Sequence, residues 1–332
     1  MNDAEQNTIY STVADAPSDQ IPSPGPLILV LLPVFNGAEY LGEQLDSILK
    51  QTHQHLKLVC RDDGSSDTSP AVLEHYQTLY HDRFLVIKDN KGNLGASGSF
   101  SALMQWALVF MQSTEQQVYV ALSDQDDIWH VDKLETTLNA MSNIEGGELP
   151  VLIHSDLNVV DKEGRRLSPS LMRFQGLDPT RTAFAAQLIS NTVTGCTVLM
   201  NKALLQKALP VPADAVMHDW WLSLVASCFG KLVFIERSLV EYRQHGRNTL
   251  GARAYHPPSL SFKTLGKVFQ AKQQPEAQTL FEAVAAQARV FHQRFAPELT
   301  AGKLNSLRDV MRLPALGLWG QRLLFRQLRR KR

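Results

Sequence analysis

Cysteine is scarce. Cys60, Cys196 and Cys228 are the three in 332 residues, far apart and in apolar surroundings. They form neither a metal-ligand spacing nor a disulfide framework, so a reducing cytosol is the expected compartment. Net charge is missing as well: 33 Lys and Arg balance 33 Asp and Glu. A chain without a cationic excess has no built-in pull toward nucleic acid, and no nucleic-acid partner is expected. No uninterrupted apolar stretch approaches the length of a membrane span. The first 20 residues are polar and mildly acidic and lack the basic and then apolar regions of a secretory signal. No internal repeat is visible.

What is present is strand and helix in alternation. Residues 1–26 read as a loose tail ending in "PSPGP". "LILVLLPVF" (27–35) is an apolar run of strand length. "NGAEYLGEQLDSILKQ" follows as a helix with Leu41, Leu45 and Leu49 on one stripe, and Asn36 with Glu39 suggests a capping box. Strands are then expected at "LKLVCRDD" (56–63), "RFLVIKDN" (83–90) and "QVYVALSDQDD". A helix entered at Ser69 and Pro70 separates the first two of these, and the helix "SFSALMQWALVFMQ" precedes the last. Nearly continuous apolar strands alternating with helices predict an α/β fold whose mostly parallel central sheet is covered on both faces. Ligands bind beyond the carboxyl ends of such strands. The polar segments there, "NGAE", "RDDGSSD", "DNKGNLG" and "SDQDD", form an acidic, nucleotide-sized rim. Later strands, "PVLIHSDLNVVD", "GCTVLMN" and "KLVFIERSLVEYRQH", extend the sheet around the helix "MHDWWLSLVASCF", and the composition shifts again from Ala252.

Five stretches carry chemistry. In "SDQDD", Asp124 and Asp126 face the same side if they lie on a strand, roughly 6–7 Å apart. Their repulsion at an effective dielectric near 20 is on the order of 2–3 kcal/mol. A solvated acidic turn capping the next helix is the plain reading. The functional one is a divalent cation, with Asp126 as direct ligand, Asp124 reaching the sugar or ribose, and Asp127 assisting or capping. In "RDDGSSD", Asp62 or Asp63 can accept the N3–H of a uracil or thymine, against an Asx turn using Gly64, expected above all of Asp67. "NKGNLGASG" can bring backbone N–H groups onto phosphate, though it matches neither a Walker A loop nor the dinucleotide fingerprint. In "MHDWWL", His218 or Asp219 caps a helix and the tryptophans are core, or Asp219 is a general base with Trp220 offering a face to a sugar. In "EYRQHGRN", a surface hairpin competes with a site where His245 closes a metal shell or contacts diphosphate and Arg243 neutralises a leaving group.

In this order, the stretches resemble the inverting family 2 glycosyltransferases of the GT-A fold, over roughly residues 27–252. "LPVFNGAEYL", "RDDGSSD", "NLGASG" and "SDQDDIW" match the nucleotide-sugar half (27–149). "HSDLNVVD", "NTVTGC", "MHDWW" and "YRQHG" are similar to the rhamnosyltransferases of O-antigen and related polysaccharide assembly, and make up an acceptor half (150–252). The resemblance implies that Pro33, Phe35, Asn36, Asp62 or Asp63, and Asn93 hold the nucleotide. It implies Asp124 and Asp126 as a DxD pair working with Mg2+ or Mn2+, and Asp219 as the base that deprotonates the acceptor. His218 and Trp220 would face the sugar or acceptor. The implied donor is a dTDP- or UDP-sugar, with L-rhamnose the best guess, and the acceptor a glycan or lipid-linked oligosaccharide. Many members have Ala-Arg-Asn where this chain has Ser97-Gly98-Ser99, and Glu-Asp where it has His218-Asp219.

Rival readings are a sugar-1-phosphate nucleotidyltransferase and a catalytically dead sugar-binding scaffold. The first wants a basic glycine-rich loop after the opening strand, and "PVFNGAEYL" has no basic residue. The second is opposed by Asp126 and Asp219. Residues 253–332 are expected to form a helical C-terminal extension. Its last part, 312–332, interleaves leucines and Trp319 with seven cations and no acid. That pattern suits either a packed last helix or peripheral contact with the anionic inner face of the cell membrane.

Overall fold

The computed structural model describes residues 25–144, 148–246 and 275–330. The expected tail, save its last two residues, and the expected boundary at 252–253 lie outside them.

Strand β1 (Leu27–Val34) reads as an unbroken apolar run because both of its faces are covered. Leu27, Leu29 and Leu31 pack with Phe100, Leu103 and Met104 of helix α3 (Gly95–Gln112). Ile28, Val30 and Leu32 pack with Leu41, Leu45 and Ile48 of α1 (Ala38–Leu49). β1 pairs in parallel with β2 (Leu56–Asp62) on one side and β4 (Val118–Leu122) on the other. β3 (Phe84–Ile87) extends the β2 side, and α2 (Ser69–Leu79) joins β2 to β3. The chain order thus reverses at β1, which opens a crevice at the carboxyl edge between β1 and β4.

The second half of the sheet is mixed. After the two-residue β5 (Ile128–Trp129) and α4 (Lys133–Ser142), the fully buried β6 (Val151–Val160) runs beside the short β7 (Arg166–Ser168). Helices α5 (Leu171–Gln175) and α6 (Phe184–Gln187) lead to β8 (Leu199–Met200) and α7 (Lys202–Ala208). Helix α8 (His218–Phe229) feeds β9 (Lys231–Arg243). β6 and β9 pair in parallel over a long register, whereas β8 is antiparallel to β4 and β6, and β5 to β9. The expected α/β class is what is found, with the long registers parallel and the antiparallel ladders only two residue pairs each.

The closing helices are α9 (Pro275–Phe295), α10 (Ala301–Met311) and α11 (Leu318–Arg330). They share the core on the α3 side of the sheet: Phe291 meets the Trp221 ring edge-on at 5.4 Å. Leu324 and Leu328 seat α11, whose other face leaves Trp319 and Leu323 exposed. None of the described helices is long and apolar enough to cross a membrane.

Several local expectations change. The Asn36–Glu39 capping box does not form: Gly37 is the N-cap of α1, and Asn36 sits at φ 49°. Its Oδ1 accepts N–H groups of Ser66 and Asp67, so Asn36 ties down the serine-rich loop and leaves the ligand edge. Ser69 is the first residue of α2 and its hydroxyl accepts the Gly37 N–H, so its oxygen is drawn away from the cap. Helix α4 starts at Lys133 behind Asp132, so Asp127 caps nothing.

Candidate active site

A cavity of about 370 Å³ opens at the carboxyl edge, within the range of small-ligand sites. Pro33, Phe35, Asp63, Asn93, Asp124, Asp126, His218 and Asp219 all line it. These come from strand ends and a helix start distant in sequence, which is what the topology brings together.

On the β2 side the acid pair splits. Asp62 turns away to accept the Ser65 N–H (3.3 Å) and is not on the cavity wall, while the Asx turn of this loop is made by Asp67, whose Oδ1 accepts the Ser69 N–H (2.9 Å). Asp63 is the one that faces in. Its carboxylate accepts the N–H groups of Leu94 (2.8 Å) and Gly95 (2.9 Å) and bonds the guanidinium of Arg61. Arg61 is almost fully buried and also holds Asp89 (2.9 Å), the Ser99 hydroxyl (2.8 Å) and the Gly92 carbonyl (2.7 Å). The backbone donors that open α3 therefore serve Asp63, and the glycine-rich turn is not a phosphate cradle at these two positions. Asn93 donates to the Asp63 carbonyl and accepts from Gly95. Phe35, about half exposed, offers an aromatic face at the cavity mouth. Its N–H and C=O are both gripped by the Gln125 side chain (2.9 and 3.1 Å). A Cβ on Gly37 would lie 2.3 Å from the Gln125 amide, so a larger residue there would displace this clamp.

On the β4 side, the strand stops at Leu122, so Asp124, Asp126 and Asp127 project from a turn and not from one strand face. Burial, then the nearby charges of Asp126 and Asp219, push the Asp124 carboxyl up to about 7. Asp126 Oδ2 lies 2.8 Å from His245 Nε2, and the imidazole stacks on Tyr40 at 5.1 Å. Carboxylates at the cavity with an imidazole beside them suit a hard divalent cation that takes further oxygens from phosphate. A second grouping, Asp124, Asp127 and Cys196, brings ligand atoms within 4.8 Å of one another. Arg243 does not reach the cavity. It is buried, its Nε donates to the Asp126 carbonyl (3.1 Å), Nη1 donates to the Lys162 carbonyl (3.0 Å), and Nη2 pairs with Glu43. Its cation is engaged in holding the acidic turn, so the expected contact with a leaving group is not seen.

Asp219 stands at the start of α8 and accepts N–H groups of Trp220 (2.6 Å), Gly195 (3.1 Å) and the Asn191 amide (3.2 Å). Burial outweighs these bonds and pushes its carboxyl up to about 6, the range of a base poised near neutrality. His218 lines the cavity, stacked on Phe100 with centroids 4.2 Å apart. Burial drives its pKa down to about 3, so the ring is neutral, and neither nitrogen has a partner among the described residues. Trp220 is not at the cavity: it is buried and its indole N–H donates to the Gln187 carbonyl (2.6 Å). Trp221 does the same toward Ala208 (2.8 Å), so both tryptophans are core.

Arg61, Gln125, Asn191 and Gly195 were not among the sequence candidates. An arginine closing an apolar strand was a usable signal for Arg61. The others act through contacts made across the fold and left none.

A cleft of this kind at the carboxyl edge, acidic and joined by an exposed aromatic face, defines an α/β protein that takes its ligand at the point where strand order reverses. The family model for Glycosyl transferase family 2 matches residues 29–209, more than half of the chain, and the chain belongs to that family. It is similar to the dTDP-rhamnosyl transferase RfbG of Shigella flexneri, 25% identical over 272 residues, covering 78% of this chain and 86% of that protein. It is also similar to the putative teichuronic acid biosynthesis glycosyltransferase TuaG of Bacillus subtilis, 26% identical over 220 residues, 66% of this chain and 79% of that one. Against an uncharacterized glycosyltransferase of Rickettsia felis it is 24% identical over 230 residues, and it spans only 34% of that protein's length. Among solved structures, S. aureus TarS 1-349 in complex with UDP-GlcNAc is 15% identical with a TM-score of 0.49, over 91% of this chain and 90% of that one.

Proposed function

We propose that the chain transfers a sugar from a nucleotide-sugar to a hydroxyl with inversion at the anomeric carbon. The observation that carries this is the convergence of Asp63, Asp124, Asp126 and Asp219 on one cavity, Asp219 with a carboxyl raised toward neutrality. Phe35, Asp63 and Asn93 receive the base and ribose. Asp219 takes the proton of the acceptor hydroxyl as that oxygen attacks from the side opposite the leaving diphosphate. The neutral imidazole of His218, with both nitrogens unpartnered, donates or accepts a hydrogen bond at the sugar. Asp126, Asp124 and His245 would hold Mg2+ or Mn2+, which when bound supplies positive charge to the departing diphosphate. Residues 27–149 then form the nucleotide half and 150–252 the acceptor half.

The finer reading is a dTDP-linked L-rhamnose donor and a glycan or lipid-linked acceptor of polysaccharide assembly. The likeness to RfbG favours it. The chain would work in the cytoplasm at the inner face of the membrane, with the outer face of α11 against anionic headgroups. Exposed Trp319 and Leu323 beside Arg322 and Arg326 support that contact. Each such cation contributes about 1 kcal/mol near an anionic surface.

The test is a panel of UDP- and dTDP-sugars with Mn2+, read for nucleoside diphosphate release and for the product's anomeric configuration. Release from at least one donor, with inversion, is expected; retention would remove Asp219 from its role. Asp126→Asn should weaken Mn2+-dependent nucleoside diphosphate binding, and wild-type affinity in that variant would end the assignment. Flotation on anionic vesicles should fall in Trp319→Ser/Leu323→Ser; unchanged flotation would take the membrane contact away from this face.

A further inference from the structure

Helix α8, which opens on His218 and Asp219, is gripped by the closing helices at both ends. One residue before its N-cap, Met217, the Val216 N–H donates to Gln287 Oε1 of α9 (3.0 Å). At the far end of α8, Lys303 of α10 donates to the Cys228 carbonyl. The loop from α7 to α8 is fastened at its start as well. There the Arg294 guanidinium of α9 donates to the carbonyls of Lys207 (3.2 Å), Ala208 (3.1 Å), Leu209 and Pro210 (2.8 Å). Between these grips, Ala213 and Asp214 are exposed.

Gln287 is out of place for packing alone. Val284, Ala288, Phe291 and Phe295 form the buried stripe of α9, and Gln287 lies within it, 1% exposed. A leucine or methionine would fill that position without the cost of drying an amide. What the amide supplies is an acceptor for the Val216 N–H, in a segment that no helix or strand ladder serves. The bond fixes where the chain turns into α8. Met217, His218 and Asp219 are the next three residues, and all three line the cavity. Asn191, Gly195 and Trp220 hold the Asp219 carboxylate itself, and Gln287 holds the backbone that leads to it. A reacting group displaced by about 1 Å can lose about 10²-fold in rate.

We propose that Gln287 is a positioning residue for the transfer step: its side-chain oxygen anchors the Val216 N–H and so sets the start of α8, which aims Asp219 at the acceptor hydroxyl. The closing helices are thereby a working part of the acceptor side. This rests on the reading of Asp219 as the base.

The test compares Gln287→Met, which keeps the volume and removes the acceptor, with Gln287→Glu, whose carboxyl keeps an oxygen in the same place. In the full chain, nucleoside diphosphate release from UDP-glucose and dTDP-L-rhamnose with Mn2+ is measured beside UDP and dTDP affinity by calorimetry. Gln287→Met should lower kcat about tenfold with nucleotide affinity unchanged, and Gln287→Glu should keep most of the rate. In an Asp219→Asn background, Gln287→Met should take nothing further from the residual rate, because it acts through that carboxylate. Amide hydrogen exchange over residues 210–222 should quicken about tenfold in Gln287→Met and stay as in the wild type over β1 and β2. Wild-type kcat in Gln287→Met, equal loss of rate and nucleotide affinity, or full additivity with Asp219→Asn would overturn the proposal. If Gln287→Met does not fold, Gln287→Asn, which holds the amide on a shorter stem, takes its place with the same outcomes expected. A wild-type chain that turns over neither donor counts against the transferase reading. The exchange rates then decide the role of Gln287 by themselves, and unchanged exchange over 210–222 overturns it.

Discussion

The Asp62–Asp63 and Asp124–Asp127 turns close β2 and β4, the strands that flank β1, and both are clusters of acid at one sheet edge. Their charges are answered differently. In the first, Asp63 receives a buried guanidinium and two backbone N–H groups, and Asp62 closes its own turn. In the second, burial and then the charges of Asp126 and Asp219 raise the Asp124 carboxyl to about 7. An acid matched by the scaffold is mainly architecture, even where it forms a wall. An acid left with a surplus of its own sign holds a place for a cation or a proton. Asp219 is raised to about 6 by burial, against the amides that bond it, and it too is left ready to hold a proton.

The largest expected effect tests that contrast where proton transfer is proposed. Asp219→Asn should lower the rate of transfer by about 10²–10⁴ while leaving nucleoside diphosphate affinity intact. Equal loss of both would make Asp219 a structural cap for the Gly195 and Trp220 amides. In the wild type, the base works only when deprotonated, so kcat/KM should rise with pH and level off above about 6. The same upward shift means that the folded chain binds this proton more tightly than the unfolded one. The stability it contributes is present at low pH and lost as pH rises through about 6. Urea midpoints taken across that window should show this slope in the wild type and a shallower one in the variant.

The architectural turn is tested by Arg61→Met. Removing one partner of a buried ion pair costs about 3–5 kcal/mol, because the remaining carboxylates of Asp63 and Asp89 lose their counter-charge. Urea unfolding reads this directly. A loss under about 1 kcal/mol would place Arg61 among surface pairs and undo the distinction between the two turns.

The sequence made the first half of the sheet legible because apolar runs, turn residues and helical stripes are local signals. The rim followed from them: strands that run parallel must end together. Two kinds of feature stayed hidden. β5 is two residues long, too short for any periodicity, and the expected strand "GCTVLMN" shrinks to the two residues of β8. Side-chain destinations also depend on partners far along the chain. Nothing local to Arg243 points to Glu43, 200 residues away, and nothing local to Asn36 points to the Ser66 and Asp67 amides, 30 and 31 residues away. Trp220 beside an acid suggested a sugar platform, but an α8 buried on nearly every side turns it inward to Gln187.

Phe35 lies between the two turns, and the smallest expected effect sharpens what each contributes. Its ring is exposed at the cavity mouth, while its backbone is fastened to the acidic turn through Gln125. The two roles separate by ligand. Stacking of a base on an aromatic ring is worth about 1–3 kcal/mol. Phe35→Ala should therefore weaken UDP binding by about tenfold, at the lower end of that range, because the ring is open to water on one side. The backbone bonds to Gln125 survive the substitution, so binding of pyrophosphate with Mn2+, which has no base to stack, should stay as in the wild type. Phe35→Trp should keep or raise UDP affinity. If Phe35→Ala weakens UDP and pyrophosphate alike, the ring's role is to hold the turn in place, and base recognition falls to Asp63 and Asn93 alone.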